Sequence, residues 1–299
     1  MITILGATGN VGRKIADDLI KKDETVRLVA RSREQLRSMV TKQAQALAGD
    51  ILDTEFLVKA FSGADAVFTL IPPHLKADNF IAHANKVGES IARALEIAKI
   101  EYVVNLSSIG AELAQGTGPV VGLHNQEERL NRIKGLNILH IRAGYFMENM
   151  LANIDLIKSR GIMGSAIRGD LVFPMIATKD VAAVAADHLS KRDFHGSTVQ
   201  ELFGNRDLSM IEAASIIGRK IGKPDLAYVM LPYEEAEKGL TSAGLSSDMS
   251  RLYIEMSRAF NEGRIAGIAQ RPPTSVTHTT FEQFCDEVFV PLFMRKKAA

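Results

Sequence analysis

The strongest constraint on this chain lies in its first twenty residues, where a glycine-spaced turn joins an apolar run to an amphipathic segment. Ile2–Leu5 is wholly apolar, Gly6-Ala7-Thr8-Gly9-Asn10-Val11-Gly12 follows, and Val11, Ile15 and Leu19 then share one face at helical spacing. A strand, a glycine turn and a helix in that order form a phosphate-binding unit, and each glycine has a task in it. Gly6 permits the tight turn, Gly9 lets a pyrophosphate approach the backbone, and Gly12 lets the helix touch the strand. Thr8, Asn10 and Val11 complete a loop whose amides, at a helix N-terminus, suit an anion. The expectation is a dinucleotide cofactor on a Rossmann domain; glycines of an ordinary loop are the plainer alternative.

The same alternation continues along the N-terminal half. Val26–Ala30, Ala66–Ile71, Tyr102–Leu106 and Ile138–Ile141 read as strands, with a weaker one at Ala44–Leu47. A long helical segment carries Ile81, Gly88, Ile91 and Leu95 on one face, and Gly88 predicts close packing against a neighbour. Nearly all-apolar strands alternating with helices predict a parallel sheet covered on both faces. The second half is less regular. A helix is expected after Thr178 as its N-cap, with Val181, Val184 and Leu189 inward. Ser209-Met210-Ile211-Glu212 forms a capping box for another that ends near Gly222. Val199–Phe203 and Ala227–Leu231 read as strands, and Leu245–Gly263 as a last helix before Pro272-Pro273. The expected class is α/β, a Rossmann doubly wound parallel sheet with a smaller C-terminal α/β lobe. Residues 1–145 would bind NAD(P), and residues 146–299 would form a substrate lobe packed on them, with the chain crossing between the two.

Composition excludes several function classes. A formal net charge of +1, without a strongly basic stretch, leaves no electrostatic footprint for nucleic acid. Lys296-Lys297 reads as a solvated tail. The lone Cys285 cannot form an internal disulfide or a cysteine metal site, and no apolar run is long enough to span a membrane. The sequence opens on an apolar strand pattern, so no signal peptide is expected. A cytoplasmic protein acting on a small molecule, as monomer or homodimer, is expected.

The end of the second strand bears on the choice of cofactor. An acidic residue there holds the ribose hydroxyls of NAD, but this chain has Ala30, Arg31, Ser32 and Arg33. A guanidinium at that point can pair with a 2′-phosphate, a charge-assisted bond worth about 1.5–3 kcal/mol. NADP(H) is therefore expected over NAD(H), with Arg31 and Arg33 as its candidate partners; the plainer alternative has both arginines opening a solvated helix.

These residues carry a family resemblance. The turn Gly6–Gly12, the Gly49-Asp50 step, Leu106-Ser107-Ser108, Arg142-Ala143-Gly144-Tyr145-Phe146-Met147-Glu148-Asn149 and Asp180-Val181-Ala182 together resemble the NmrA-like group of atypical short-chain dehydrogenases. That group includes bacterial quinone and triphenylmethane reductases, plant isoflavone-type reductases and NADP-binding redox sensors. The resemblance implies Asp50 and Ile51 near the adenine, Ile71 and Pro72 along the ribose, and Ser107, Tyr145 and Phe146 near the nicotinamide. Each has a plainer alternative: Asp50 as a turn residue or helix cap, Ser107 and Ser108 satisfying local amides, Tyr145 and Phe146 as core.

Ordinary short-chain dehydrogenases exchange protons through a Tyr-x-x-x-Lys pair. Between Ser107 and Leu139 this chain has no tyrosine, and its only lysine there is Lys134. Val120–Arg129 instead resembles the His-x-x-x-Glu segment of the quinone-reductase branch, which makes His124 the candidate catalytic residue. A histidine there can donate a proton or orient a carbonyl oxygen, although capping a helix or bonding within a polar crevice would equally explain it. Glu128 and Arg129 read as exposed helix residues, and Met210, Met230, Met256 and Phe260 as core. His74, His83, His140, His188, His195 and His278 lack metal-ligand spacing, so no metal is assigned. The leading expectation is an NADPH-dependent reductase of small electrophiles such as quinones, by direct hydride transfer. The alternative is a non-catalytic NADP(H)-binding sensor of redox state; a sugar-nucleotide epimerase is disfavoured because that chemistry needs the missing tyrosine.

Overall fold

The computed structural model describes residues 1–266 and 271–295. Its N-terminal half alternates strand and helix as β1 (Ile2–Leu5), α1 (Gly12–Lys21), β2 (Val26–Ala30), α2 (Arg33–Arg37), β3 (Ala44–Ala48), α3 (Thr54–Phe61), β4 (Ala66–Leu70), α4 (Phe80–Ala98), β5 (Tyr102–Ser108), α5 (Val120–Leu130) and β6 (Asn137–Ala143). These strands form a parallel sheet with β10 (Ser197–Leu202) at one edge, in the order β10-β6-β5-β4-β1-β2-β3. Strand order reverses at β1, whose neighbours are β2 and β4, and this opens a crevice at the carboxyl ends of β1 and β4.

Both faces of the sheet are covered, as its apolar strands require. On one face Ile15 and Leu19 of α1 pack with Val181, Ala185 and Leu189 of α7 (Thr178–Lys191). On the other, Leu57, Val87, Ile91 and Leu130 of α3, α4 and α5 close a second core. Gly88 of α4 lies against α5: a β-carbon there would stand 2.2 Å from Gln126 Oε1 and 2.4 Å from an Arg129 nitrogen. The close packing that this glycine predicts is present, and it corrects the placement of Arg129. That side chain is half-buried, donating to Gln126 Oε1, Asn85 Oδ1 and the Asn125 carbonyl, whereas Glu128 is exposed.

Strand ends differ from the sequence expectation for identifiable reasons. β5 continues to Ser108, past the polar residues that end its apolar run. Asn105 and Ser107 are buried, but each has a partner: Thr69 Oγ1 donates to Asn105 Oδ1, and Ser107 Oγ donates to Glu127. β4 stops at Leu70, one residue short of Ile71, where pairing with β5 ends at Leu70 and Leu106. Phe203 lies outside β10 and instead bridges to Val276.

The C-terminal half builds a smaller lobe. β7 (Tyr145–Phe146), α6 (Ile154–Arg160), β8 (Ile162–Ser165) and β9 (Val172–Ile176) precede α7; β11 (Asp207–Ser209), α8 (Met210–Lys220), β12 (Ala227–Met230), α9 (Tyr233–Ser242) and α10 (Ser247–Asn261) follow β10. Its core gathers Met147, Met163, Phe173, Phe203, Met210, Phe260, Phe284 and Phe289. The capping box at Ser209 and Glu212 has both of its hydrogen bonds. Thr178 is the first residue of α7, and its N-cap is Ala177. The capping acceptor comes from elsewhere in the chain, because Glu148 accepts from Thr178 N at 3.1 Å. Residues 178–202 return to the main sheet as α7 and β10, so that sheet and its covering helices draw on chain from both sides of residue 145. Among the described residues, no helix is long and apolar enough to cross a membrane.

Candidate functional site

The glycine turn sits at the floor of the crevice. Gly6 has φ +64°, a left-handed conformation that a side chain disfavours. Gly9 N donates to the Gly6 carbonyl at 2.9 Å, closing the turn. Gly12 begins α1 so close to that carbonyl that a β-carbon would lie 2.4 Å from Gly6 O, whereas one on Gly9 would lie 3.2 Å from it. Ala7 N is bound to Val29 O, but no described backbone carbonyl accepts from the amides of Thr8, Asn10 or Val11. Gly9 and Asn10 are exposed and Thr8 half-buried, while the Val11 side chain is core, so only its amide can serve a ligand. Unpaired amides at a helix start, beside an exposed glycine, form a cradle that fits a pyrophosphate.

The neighbouring strand ends rim this cradle. Arg31 follows β2 and is exposed; Ser32 then caps α2, which places Arg33 in that helix's first turn, also exposed. Neither guanidinium has an ion-pair partner among the described residues. Asp50 is a turn residue beyond β3, its Oδ1 accepting from Leu52 N at 3.0 Å, and the cap of α3 is Asp53. Ile51 packs half-buried on the core below, and beyond β4 Ile71 is buried and Pro72 half-buried.

Beyond β5 the chemistry becomes polar and buried. Ser107 Oγ donates to Glu127 Oε1 at 2.5 Å. Glu127 is held by Arg142 of β6, through Nη2 at 2.6 Å and Nε at 3.1 and 3.3 Å. Burial by itself lowers the Arg142 pKa, but the hydrogen bond and charge of Glu127, helped by Glu112 and Glu201, raise it above the ordinary guanidinium value. Ser107 thus spends its only proton inward and keeps lone pairs to accept from a ligand. Glu112 reaches the same arginine at 3.3 Å and also accepts from Gly110 N, so the loop after β5 is anchored to β6.

His124 stands one turn before Glu127 on α5, half-buried, with Nδ1 2.8 Å from the Ala111 carbonyl. A carbonyl only accepts, so Nδ1 carries the proton, and Nε2 is the atom left to accept, or to donate once the ring is charged. α5 begins at Val120 with no side-chain cap, so His124 is not a helix cap. His140 lies outside the crevice, sealed in the sheet. Asn105 Nδ2 donates to its Nδ1, its Nε2 donates to Asn131 Oδ1, and burial lowers its pKa to about 4.

Tyr145 and Phe146 of β7 begin the wall opposite. Tyr145 meets Phe173 and Phe260 edge-on at 5.4 and 6.0 Å, and burial holds its hydroxyl well above the usual tyrosine range, with Tyr228 and Tyr253 adding to the shift. It is therefore a neutral, aromatic surface with no readiness to exchange a proton. Phe146 packs toward the main sheet. α10 roofs this end of the molecule by tying down two loops. Ser246 N donates to Leu75 O, Asp248 accepts from Phe80 N, and Glu255 accepts from Gly118 N.

Reasoning from sequence missed Glu127 and Arg142 as site residues. The available signal was an arginine near the end of a mostly apolar strand, since a charge there needs a partner. Among the described residues, no group of three or more His, Cys, Asp or Glu side chains is placed to hold a metal ion.

Comparison with known proteins agrees with this architecture. The model of the NmrA-like family matches residues 1–284. An NAD(P)H azoreductase of Xenophilus azovorans is 24% identical over 288 residues, 95% of this chain and 96% of the relative. An NADPH-dependent quinone oxidoreductase of Escherichia coli, solved with NADPH, superposes with a TM-score of 0.83 at 20% identity, covering 97% of this chain and 100% of that one. A Citrobacter triphenylmethane reductase solved with NADP(H) gives 0.81 at 18% identity, covering 96% and 99%.

Proposed function

The chain belongs to the NmrA-like family, and from that premise we propose that it is an NADPH-dependent reductase of small electrophilic compounds such as quinones. The observation that carries the cofactor reading is the pairing of the glycine cradle with Arg31, where an NAD site would present a carboxylate. The amides of Thr8, Asn10 and Val11 would hold the pyrophosphate, with Gly6, Gly9 and Gly12 making room. Arg31, and Arg33 behind it, would meet the 2′-phosphate. Asp50 and Ile51 would border the adenine, Ile71 and Pro72 the ribose, and Ser107, Tyr145 and Phe146 the nicotinamide.

A bound reduced nicotinamide supplies a hydride, so the protein need only position the acceptor, exclude water and manage one proton. Ser107, its own proton committed to Glu127, would accept from the carboxamide nitrogen and so orient the ring. The aromatic wall of Tyr145, backed by Phe173 and Phe260, suits a flat, neutral acceptor. His124 Nε2 is the proton-handling candidate at the strand-end loop, with its tautomer set by Ala111. Residues 146–299 would supply most of the acceptor side.

NADPH oxidation against quinones, azo and triphenylmethane dyes, aldehydes and enones, run beside a cofactor-binding assay, tests this reading. Turnover supports the reductase. Tight NADPH binding without turnover across the panel would instead mean a redox sensor. His124→Ala should lower turnover by about a hundredfold or more with little change in NADPH affinity, since a group used only in the transition state lowers kcat and kcat/KM together. Activity restored by His124→Gln would assign orientation rather than proton transfer. Wild-type rates in both variants would remove His124 from the chemistry.

A further inference from the structure

Four segments bring ionisable groups to the same end of the crevice. Arg31 follows β2, Asp50 follows β3, His74 lies in the loop after β4, and His83 and Lys86 stand on α4. The imidazoles of His74 and His83 meet ring to ring, with centroids 4.6 Å apart and planes at 49°. Nδ1 of His74 is buried, with no hydrogen-bond partner among the described residues. His83, half-buried, is kept below the ordinary histidine pKa first by burial and then by His74; Lys86 and Arg31 push the same way, and Asp50 alone opposes them. Burial and its positive neighbours therefore favour the neutral form of His83, and among the described residues Asp50 is the one charge that favours its proton.

A phosphate dianion beside Arg31 would reverse that balance. It would offset the repulsion from Arg31 and Lys86 and add an anionic partner, and an opposite charge within about 4–6 Å typically raises a pKa by 1–3 units. We propose that His83, packed against His74, lines the subsite for the adenosine 2′-phosphate and takes up one proton when that phosphate is seated. The proton comes from water or buffer, and the N–H bond is the only one that forms. This inference rests on the cofactor reading above and extends it, because it makes selection of the phosphorylated cofactor depend on pH. Affinity for NADPH rises as pH falls from 8 toward 6.5, and affinity for NADH does not. The gain ends near pH 6, where the phosphate itself begins to protonate.

The test is calorimetry of the full chain with NADPH and with NADH at pH 7.5, in buffers that differ in ionisation heat. NADPH binding is expected to show net proton uptake and NADH binding none. The NADPH dissociation constant should fall about three- to tenfold from pH 8 to pH 6.5. His83→Gln, which keeps hydrogen bonding but cannot titrate, should abolish both effects while leaving NADH affinity within about twofold of wild type. His74→Gln, which removes the neighbouring imidazole, should alter the proton count without abolishing it. Equal proton counts for the two cofactors, proton release with NADPH, or uptake that survives His83→Gln would each overturn the proposal while the cofactor reading stands. Failure of the wild-type chain to bind NADPH would overturn both.

Discussion

Gly9 and Gly12 separate the two jobs of the phosphate turn, and replacing each with alanine should break a different property. At Gly12 the new methyl would stand 2.4 Å from the Gly6 carbonyl oxygen and 2.9 Å from its carbon, both backbone atoms that cannot swing aside. Crowding of that kind costs about 1–3 kcal/mol, and at roughly 2–4 °C per kcal/mol Tm should fall by about 2–12 °C. At Gly9 the nearest atom would be 3.2 Å away, and the residue is exposed, so the fold can absorb a methyl by a shift of a few tenths of an ångström. That methyl would, however, project into the cradle proposed for the pyrophosphate. Losing one or two charge-assisted contacts weakens binding by about 2–3 kcal/mol, close to a hundredfold. The assay is thermal unfolding with and without NADPH. At a hundred times its dissociation constant, NADPH stabilises the wild type by about 2.7 kcal/mol. The same concentration, now equal to the dissociation constant of Gly9→Ala, leaves about 0.4 kcal/mol. Gly9→Ala should therefore melt near the wild-type temperature without ligand and barely respond to NADPH, while Gly12→Ala melts early. A full NADPH response in Gly9→Ala, or a Gly12→Ala protein as stable as wild type, would refute the reasoning.

Two further outcomes follow from charge and burial. Arg31→Ala should weaken NADPH about ten- to hundredfold and NADH little, because only the former bears the 2′-phosphate; equal losses by titration would make Arg31 structural. His140 should destabilise the protein in acid. Burial lowers its pKa to about 4, against about 6.5 in an unfolded chain, so the stability it contributes is complete above pH 6.5 and drains away as pH falls toward 4, by about 3 kcal/mol in all. Urea unfolding should show about 2 kcal/mol of this between pH 6.5 and 5, with a shallower slope in His140→Gln; equal slopes would mean that another group governs acid unfolding.

His124 and Glu127 acquire a shared role from the fold. They face the same loop from one side of α5, His124 holding the Ala111 carbonyl and Glu127 holding Ser107, while Arg142 joins Glu127 to Glu112. A substitution at either position therefore acts on the loop as well as on any ligand. For that reason the His124→Gln variant carries more information than His124→Ala.

Local patterns were enough for the strands of the main sheet, the glycine turn and the capping box at Ser209, because backbone propensity and hydrophobic period are properties of neighbouring residues; β7, β8, β9 and β11 of the smaller lobe were not expected. Glycine spacing after an apolar run predicts a cradle without reference to anything distant, and Gly88 announces a close approach without naming its partner. Long-range pairing is different. Glu127 and Glu128 are adjacent acids on one helix, and only the packing of α5 against β5 and β6 makes the first a buried partner of Ser107 and Arg142 and leaves the second in solvent. Thr178 has the composition of an N-cap, yet Glu148, thirty residues earlier, supplies the acceptor. The meeting of His74 with His83, in reach of the charges of Arg31 and Asp50 on His83, depends on where parallel strands bring their carboxyl ends. The sequence by itself determined the glycine turn and the helix that follows it, because turn conformation and helix start are local. The tertiary structure alone decided which charges are buried, which are paired and which remain to titrate, because desolvation and Coulomb energy depend on distance through space and not along the chain.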